Sequence, residues 1–384
     1  MDFNLTEQQR MVKQMAREFA EKEIAPFARE NDHAERFPAE IVKKMAPLGF
    51  FGPTLPEAYG GMGLDFISEG LILEELGRID SSVRSVFSVQ IGLVEMPILR
   101  WGTEEQKRKY LPKLAGGEWL GCYALTEPGV GSDAAALQTR ATRDGDAWVL
   151  RGNKLWITNG GVADLAIIFA QTDPAKRTRG MGAFLVERGM PGWSSREIKG
   201  KLGLRASSTA ELILDGVRVP EENVLGGIGQ GFKVAMSALD DGRYSVAAGC
   251  VGIMQGCLEA SVKYVQERQA FGKKIGKFQL VQELIAEMRL DLEAARLLVW
   301  RAGWLKDQGS PGGVESSLAK WFASEAAVRA ALNAIQVHGG YGYSDEYPVE
   351  RFLRDAKVAT LYEGTTQIQK LLVGKDTTGL NAFT

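Results

Sequence analysis

The sequence predicts an α+β protein in three parts: an N-terminal helical domain, a small central β barrel and a C-terminal four-helix bundle. Three observations carry this. Apolar residues recur at helical spacing over the first third of the chain. The pattern then changes to short β-rich runs separated by Gly, Pro and charged turns. From Gly231 onward helical periodicity returns and is sustained. The changes of period set the boundaries at residues 1–120, 121–225 and 226–384.

Element by element, Thr6 is the predicted N-cap of a helical stretch from Glu7 to Glu30, with Met11, Met15, Phe19 and Ile24 on one face and a break or bend at Pro26. Pro47 to Leu64, dense in Gly and Pro, reads as a loop. Helical patterns resume over Phe66–Leu99 and Glu104–Leu114. "AWVLRGNKLWITNGG" reads as a hairpin turning at Arg151-Gly152-Asn153, and "LAIIFAQT", "GAFLVER" and "STAELILDGVRV" as further strands. Beyond them, Val281, Ile285, Met288, Leu292, Ala295 and Val299 form one apolar stripe, and Phe232–Val265 and Leu318–Val337 behave similarly. Long helices with short connections imply a bundle.

Composition narrows the function. A chain of 384 residues buries a substantial core, and a net charge of -2 from 46 basic and 48 acidic residues argues against nucleic acid as the main partner. Cys122, Cys250 and Cys257 suit buried packing in a reducing compartment, without a disulfide framework. His33 and His338 are too few for the usual metal sites; His33 reads as solvated, and His338, beside Gly339 and Gly340, as structural or cofactor-adjacent. The N-terminus lacks the basic start and apolar core of a signal peptide, and no uninterrupted apolar run reaches bilayer length. The expectation is a cytoplasmic protein, or a matrix protein in a eukaryote, with no membrane partner.

Three runs bear on chemistry. "LRDAKVATLYEGTTQIQ" (Leu353 to Gln369) places Glu363 before a Gly-Thr-Thr step, where Gly364 lets backbone approach a ligand closely. By itself a lone acid there fits a general base or a solvated turn. Upstream stand "CYALTEPGVGSD" (Cys122 to Asp133) and "KLWITNGG" (Lys154 to Gly161). Gly129-Val-Gly131 opens no helix, and "GGIGQG" (Gly226 to Gly231) lacks the flanking parallel strands, so neither makes a Rossmann site.

Together, in this order and spacing, the three runs resemble the acyl-CoA dehydrogenase family of flavoproteins over nearly the whole chain. The resemblance implies FAD between the β domain and the bundle. Tyr123, Leu125, Thr126, Gly131 and Ser132 would lie along the flavin, and Trp156, Ile157 and Thr158 would cover its other part. Arg268, in "ERQAFGKKI", matches an arginine reaching the FAD pyrophosphate of a neighbouring subunit; a planar guanidinium suits phosphate. Phe271, Gln279, Gln336, Gly339, Gly340, Thr365 and Gln367 match further FAD contacts. A shared site implies an oligomer, most often a homotetramer.

For substrate, Asp240 and Arg243 match residues at the CoA moiety, Ser132 one near the pantetheine, and Gly364 lies beside the acid; Asp240 and Arg243 also fit a plain helix-surface pair. The implied reaction is α,β-dehydrogenation of an acyl-CoA, with Glu363 as base, flavin N5 as hydride acceptor and an electron-transfer flavoprotein as electron partner. Some members carry the base at the position aligned with Gly242; here that position is glycine. "VRSVFSVQ" (Val83 to Gln90) is similar to glutaryl-CoA dehydrogenases, in which the arginine aligned with Arg84 meets a distal carboxylate. An acyl-CoA oxidase and a non-catalytic FAD- or CoA-binding scaffold are the alternatives.

Overall fold

The structure, a computed structural model, describes residues 3–310 and 312–382. Helix α1 (Glu7–Phe19) starts where the Thr6 hydroxyl accepts from the Gln9 N–H and the Gln9 side chain accepts from the Thr6 N–H, a capping box. It continues through a π segment (Ala20–Ile24), bends at the turn containing Pro26, and resumes as α2 (Ala28–Ala34) before α3 (Ala39–Met45). The run predicted over Phe66–Leu99 is broken. Helix α4 (Phe66–Ile79) stops at Asp80, whose carboxylate accepts the N–H groups of Ser82 and Val83 and so starts α5 (Ser81–Ser88) in a new direction. From α5 the chain passes through a second π segment (Val89–Glu95) into α6 (Met96–Trp101), and α7 (Glu104–Ala115) follows.

Eight strands build the middle of the chain: β1 (Gly121–Ala124), β2 (Arg140–Asp144), β3 (Ala147–Thr158), β4 (Leu165–Gln171), β5 (Met181–Glu187), β6 (Trp193–Glu197), β7 (Thr209–Pro220) and β8 (Val224–Leu225). Their order is β6-β7-β3-β2-β4-β5-β8, with β1 parallel to β4, and they enclose a core of their own that includes Ile157, Ile168, Phe184 and Leu212. The predicted hairpin at Arg151-Gly152-Asn153 is not there. Strand β3 runs straight through it, and the turn lies at Gly145, with Asp144 opposite Ala147. The β3–β7 register slips just before Gly152, between Leu150 and Arg151, where Gly216 of β7 is the extra residue; Gly152 itself pairs with Leu214, and a Cβ there would press on Thr139.

The C-terminal part holds α8 (Gly231–Glu267), a small hairpin of β9 (Gln269–Ala270) and β10 (Lys273–Lys274), then α9 (Gln279–Asp307), α10 (Gly313–His338), α11 (Val349–Ala359) and α12 (Thr366–Thr378). One continuous apolar core joins the N-terminal helices to this bundle. Glycines permit the close α4–α8 crossing: a Cβ on Gly77 would meet the Gly249 backbone. Two stretches, Ser81–Trp101 and Gly231–Glu267, are long and apolar enough by length and composition to cross a membrane, though charged residues interrupt both, and 94% and 78% of their apolar windows are buried inside the protein. The three cysteines are buried and free. His33 is half-exposed and lies 2.8 Å from Asp345.

Candidate active site

Between α11 and α12 the chain crosses the left-handed region twice in succession, at Glu363 (φ 52°) and Gly364 (φ 89°). That conformation is uncommon for a residue with a side chain, so something must hold it. Buried donors do. Lys320 Nζ donates to the Gly364 carbonyl at 2.7 Å, and Gln369 Nε2 donates to both the Gly364 and Glu363 carbonyls, at 3.0 and 3.1 Å. Arg243 Nε adds a longer contact of 3.4 Å to the Glu363 carbonyl.

The side chain is thereby sent into a niche opened by a missing one. A Cβ on Gly242 of α8 would overlap Glu363 Oε2, which is buried and has no hydrogen-bond partner. Burial pushes the Glu363 carboxyl up to about 7, with the cations Arg84, Lys320 and Arg243 opposing it. The two acids beside Gly242 are occupied elsewhere: Asp240 pairs with Arg243 at 2.7 Å, and Asp241 pairs with Arg100 at 3.1 Å and with Lys306.

Arg84 is buried next to this acid. Its Nη2 donates to the Tyr362 hydroxyl at 2.9 Å, while Nε, pressed against the space left by Gly249, has no partner. Tyr123 closes the β side; its hydroxyl donates to the Ala235 carbonyl at 3.1 Å, and its ring packs on Phe169.

A second site opens where α8 ends and α10 ends. Arg268, Tyr264, Ile275, His338, Gly339, Gly340 and Tyr341 line a cavity of about 600 Å³. His338 Nδ1 is paired with the Ala334 carbonyl at 2.8 Å, while Nε2 is buried without a partner. Around Gly129, Gly131, Gly339 and Gly340 a Cβ would meet nothing, and Trp156 and Phe271 stand 57% and 93% exposed with φ of 61° and 50°. A dinucleotide with a flat ring fits these features: exposed aromatic faces for the ring, a guanidinium for phosphate, and open glycine backbone along its length.

Of the residues singled out from sequence, Glu363, Gly364, Arg243, Arg84 and Tyr123 converge, and Arg268, Gly339 and Gly340 share the cavity. Ser132, Gln279, Gln336 and Gln367 are exposed on four separate segments, and Thr126, Thr158 and Thr365 are half-buried. Thr365 caps α12, accepting from the Ile368 N–H. The side chains of Ile157 and Leu125 are buried in the apolar cores, which leaves their backbone to face a ligand. Sequence reading missed Lys320 and Tyr362, and also the buried pair Lys154–Glu127. Lys154 Nζ lies 2.8 Å from Glu127, and Glu127 also accepts from the Gln138 and Thr139 N–H groups. This pair ties "CYALTEPGVGSD" to "KLWITNGG"; burial lowers the Lys154 ammonium to about 8 and Lys154 lowers the Glu127 carboxyl.

Fold and sites together define a class: a helical, β, helical enzyme with a buried acid faced by Arg84, Arg243 and Lys320, and a separate open cavity at Arg268. The match to known proteins is specific. Residues 6–118, 122–217 and 229–377 match the N-terminal, middle and C-terminal domains of acyl-CoA dehydrogenase, and the chain belongs to that family. It is 46% identical over 373 residues to the short-chain-specific acyl-CoA dehydrogenase of Clostridium acetobutylicum, covering 97% of this chain and 98% of that one. Among solved structures it is similar to a chain from work on the electron transferring flavoprotein of Acidaminococcus fermentans, with TM-score 0.97, 46% identity and coverage of 98% and 100%. It is also similar to a glutaryl-CoA dehydrogenase of Mycobacterium smegmatis in complex with FADH2, with TM-score 0.94, 37% identity and coverage of 99% and 97%.

Proposed function

We propose that the chain dehydrogenates an acyl-CoA thioester to its 2-enoyl-CoA, with Glu363 as the base. The observation that carries this is the unpartnered, buried Oε2 of Glu363 in the Gly242 niche. An α-proton is weakly acidic, and a carboxylate desolvated to about 7 is a far stronger acceptor than one in water. Bound FAD would supply the hydride acceptor for the β-hydrogen, so that one proton and one hydride would leave the substrate as the double bond forms. Glu363 keeps the α-proton on its carboxylate, and Tyr123 and the buried helices keep water from competing for it. Arg243, paired with Asp240, would meet an anionic CoA group, and Arg268 with Gly339 and Gly340 would hold the FAD phosphates. The division at 120/121 and 225/226 is supported by the gaps between the matched segments.

An electron-transfer flavoprotein is the electron acceptor on this reading, supported by the Acidaminococcus neighbour. A homotetramer is supported by apolar side chains left exposed on α9 and α10, Leu280, Leu290, Leu297, Trp304 and Leu332. Three free buried cysteines suit the reducing cytoplasm, or the matrix in a eukaryote.

A second reading refines the substrate. Arg84, buried with a free Nε beside the acid, fits an acyl chain that ends in a carboxylate. The Mycobacterium neighbour, a glutaryl-CoA dehydrogenase, points the same way.

The test is stopped-flow reduction of bound flavin by butyryl-CoA and glutaryl-CoA. Glu363→Gln should keep FAD and thioester binding and lose at least about 10²–10⁴-fold in rate, the ordinary contribution of a general base. In the unmodified protein the base works only when ionised, so kcat/KM should rise with pH through about 7. Near-normal reduction by Glu363→Gln would overturn the assignment.

A further inference from the structure

Of the buried ionisable groups that the mechanism leaves unused, one lies against the acid's own turn. Lys320, on α10, is fully buried, and its ammonium contacts neither a carboxylate at ion-pair distance nor solvent; it donates to the Gly364 carbonyl at 2.7 Å. A buried ammonium normally demands a carboxylate partner. This one is spent on a backbone oxygen one residue beyond the catalytic acid, in a segment whose φ values are those of a strained turn.

We propose that Lys320 is a positioning residue for the dehydrogenation: by fixing the Gly364 carbonyl it holds Glu363 in its left-handed conformation and so delivers the carboxylate to the Gly242 niche. The inference rests on Glu363 being the base. Geometry supports it from two sides. Gln369 grips the same carbonyl at 3.0 Å and that of Glu363 at 3.1 Å, so the Glu363–Gly364 backbone is clamped from α10 and α12 together. On the far side Gly242 makes the room that the carboxylate occupies, since a Cβ there would overlap Oε2. Releasing the clamp lets Glu363 relax toward ordinary φ, and its carboxylate then leaves the niche.

The same ammonium acts through space. Glu363 is faced by Arg84 from α5, Tyr123 from β1, Arg243 from α8, Lys320 from α10 and its neighbour Tyr362. Lys320 is faced by Cys250 and Arg243 from α8, by Glu325 and by Glu363. Among the described residues, only Arg243 of the three cations around the acid pairs with a carboxylate, Asp240; Arg84 donates to the Tyr362 hydroxyl, and Lys320 to the Gly364 carbonyl, with its charge left to act on Glu363. Its loss should therefore raise the proton affinity of Glu363.

The experiment follows flavin reduction by butyryl-CoA in the FAD-loaded protein across pH. Lys320→Met should lower the limiting rate by about 10²-fold, the scale of an ångström-sized misplacement, with KM changed only a few-fold. Lys320→Gln keeps a donor without charge; it should recover most of the rate but move the acidic limb of the profile to higher pH. Lys320→Arg should leave that limb in place. Lys320→Met with an unchanged limiting rate, or with its loss confined to KM, would overturn the proposal. Should the Met variant not fold, an unshifted limb in Lys320→Gln, or an unchanged rate in Gln369→Leu, overturns it equally. Glu363→Gln, measured alongside, separates the two claims: if it remains active the base assignment fails, and if it is dead while Lys320→Met is normal, the positioning role alone fails.

Discussion

The acid niche and the Arg268 cavity are built on opposite plans. Around Glu363, α5, β1, α8, α10 and the α11–α12 turn each place a side chain, and one carboxylate oxygen, Oε2, is buried. Around Arg268 the surfaces stand open, with Phe271 at 93% and Tyr343 at 89% exposure and the β9–β10 hairpin projecting. The difference teaches which task each tolerates. Proton abstraction needs a desolvated group at a fixed point, and only a closed, internally braced site supplies it. Holding a long anionic cofactor needs reach and donors, which an open cleft supplies and a second subunit can complete.

Substitutions on each side should separate rate from retention. The largest effect is expected at the niche. Gly242→Ala puts a methyl on the Glu363 Oε2 position and should reduce flavin reduction by about 10²-fold while FAD stays bound. Moving the acid across the gap, as Gly242→Glu in a Glu363→Gly background, should restore part of that rate; no restoration would mean that the niche admits a carboxylate from one side only. On the open side, Arg268→Ala should leave the intrinsic rate of FAD-loaded protein near normal and weaken FAD retention by about 10–100-fold, the worth of a charge-assisted hydrogen bond. Equilibrium dialysis measures it, and a rate defect without FAD loss would erase the contrast drawn here. The smallest effect is expected at Arg84, which borders the niche without bracing the acid. Arg84→Ala should slow glutaryl-CoA more than butyryl-CoA, by roughly 10-fold; equal slowing would make Arg84 a packing residue.

The sequence made some of this legible and hid the rest for identifiable reasons. Glu363 and Gly364, an acid and a glycine in one short turn, leave a local signature that fits a solvated turn as well, and the resemblance of the three runs to the acyl-CoA dehydrogenase family singled the acid out. Arg268 stood beside its own marker, "QAFG". Lys320 left none: it lies 44 residues from Gly364 on an alanine-rich helix, where a lysine ordinarily reads as a solvated face. Gly152 was misleading because glycine serves turns and also close approaches within a strand, and only the packing of Thr139 against it decides between them. Asp80 could have been caught, since an acid before two serines is a helix start in itself.

The π segment at Val89–Glu95 has a consequence for phase. A π turn takes up one residue more than an α turn, so the faces of α5 and α6 are offset by about 100° from where an unbroken helix would put them. Arg84 and Ser88 thus look toward Tyr362 and Ser245, while a turn later Gly92 meets the backbone of α8 at Gly242 and Val94 meets Gly121 of β1. One helix thereby serves two neighbours of unlike periodicity, as a gear with an added tooth meshes with two wheels. Its length in residues, and not only its composition, is under constraint: losing a single residue from this segment would rotate one set of contacts away while leaving the other in place.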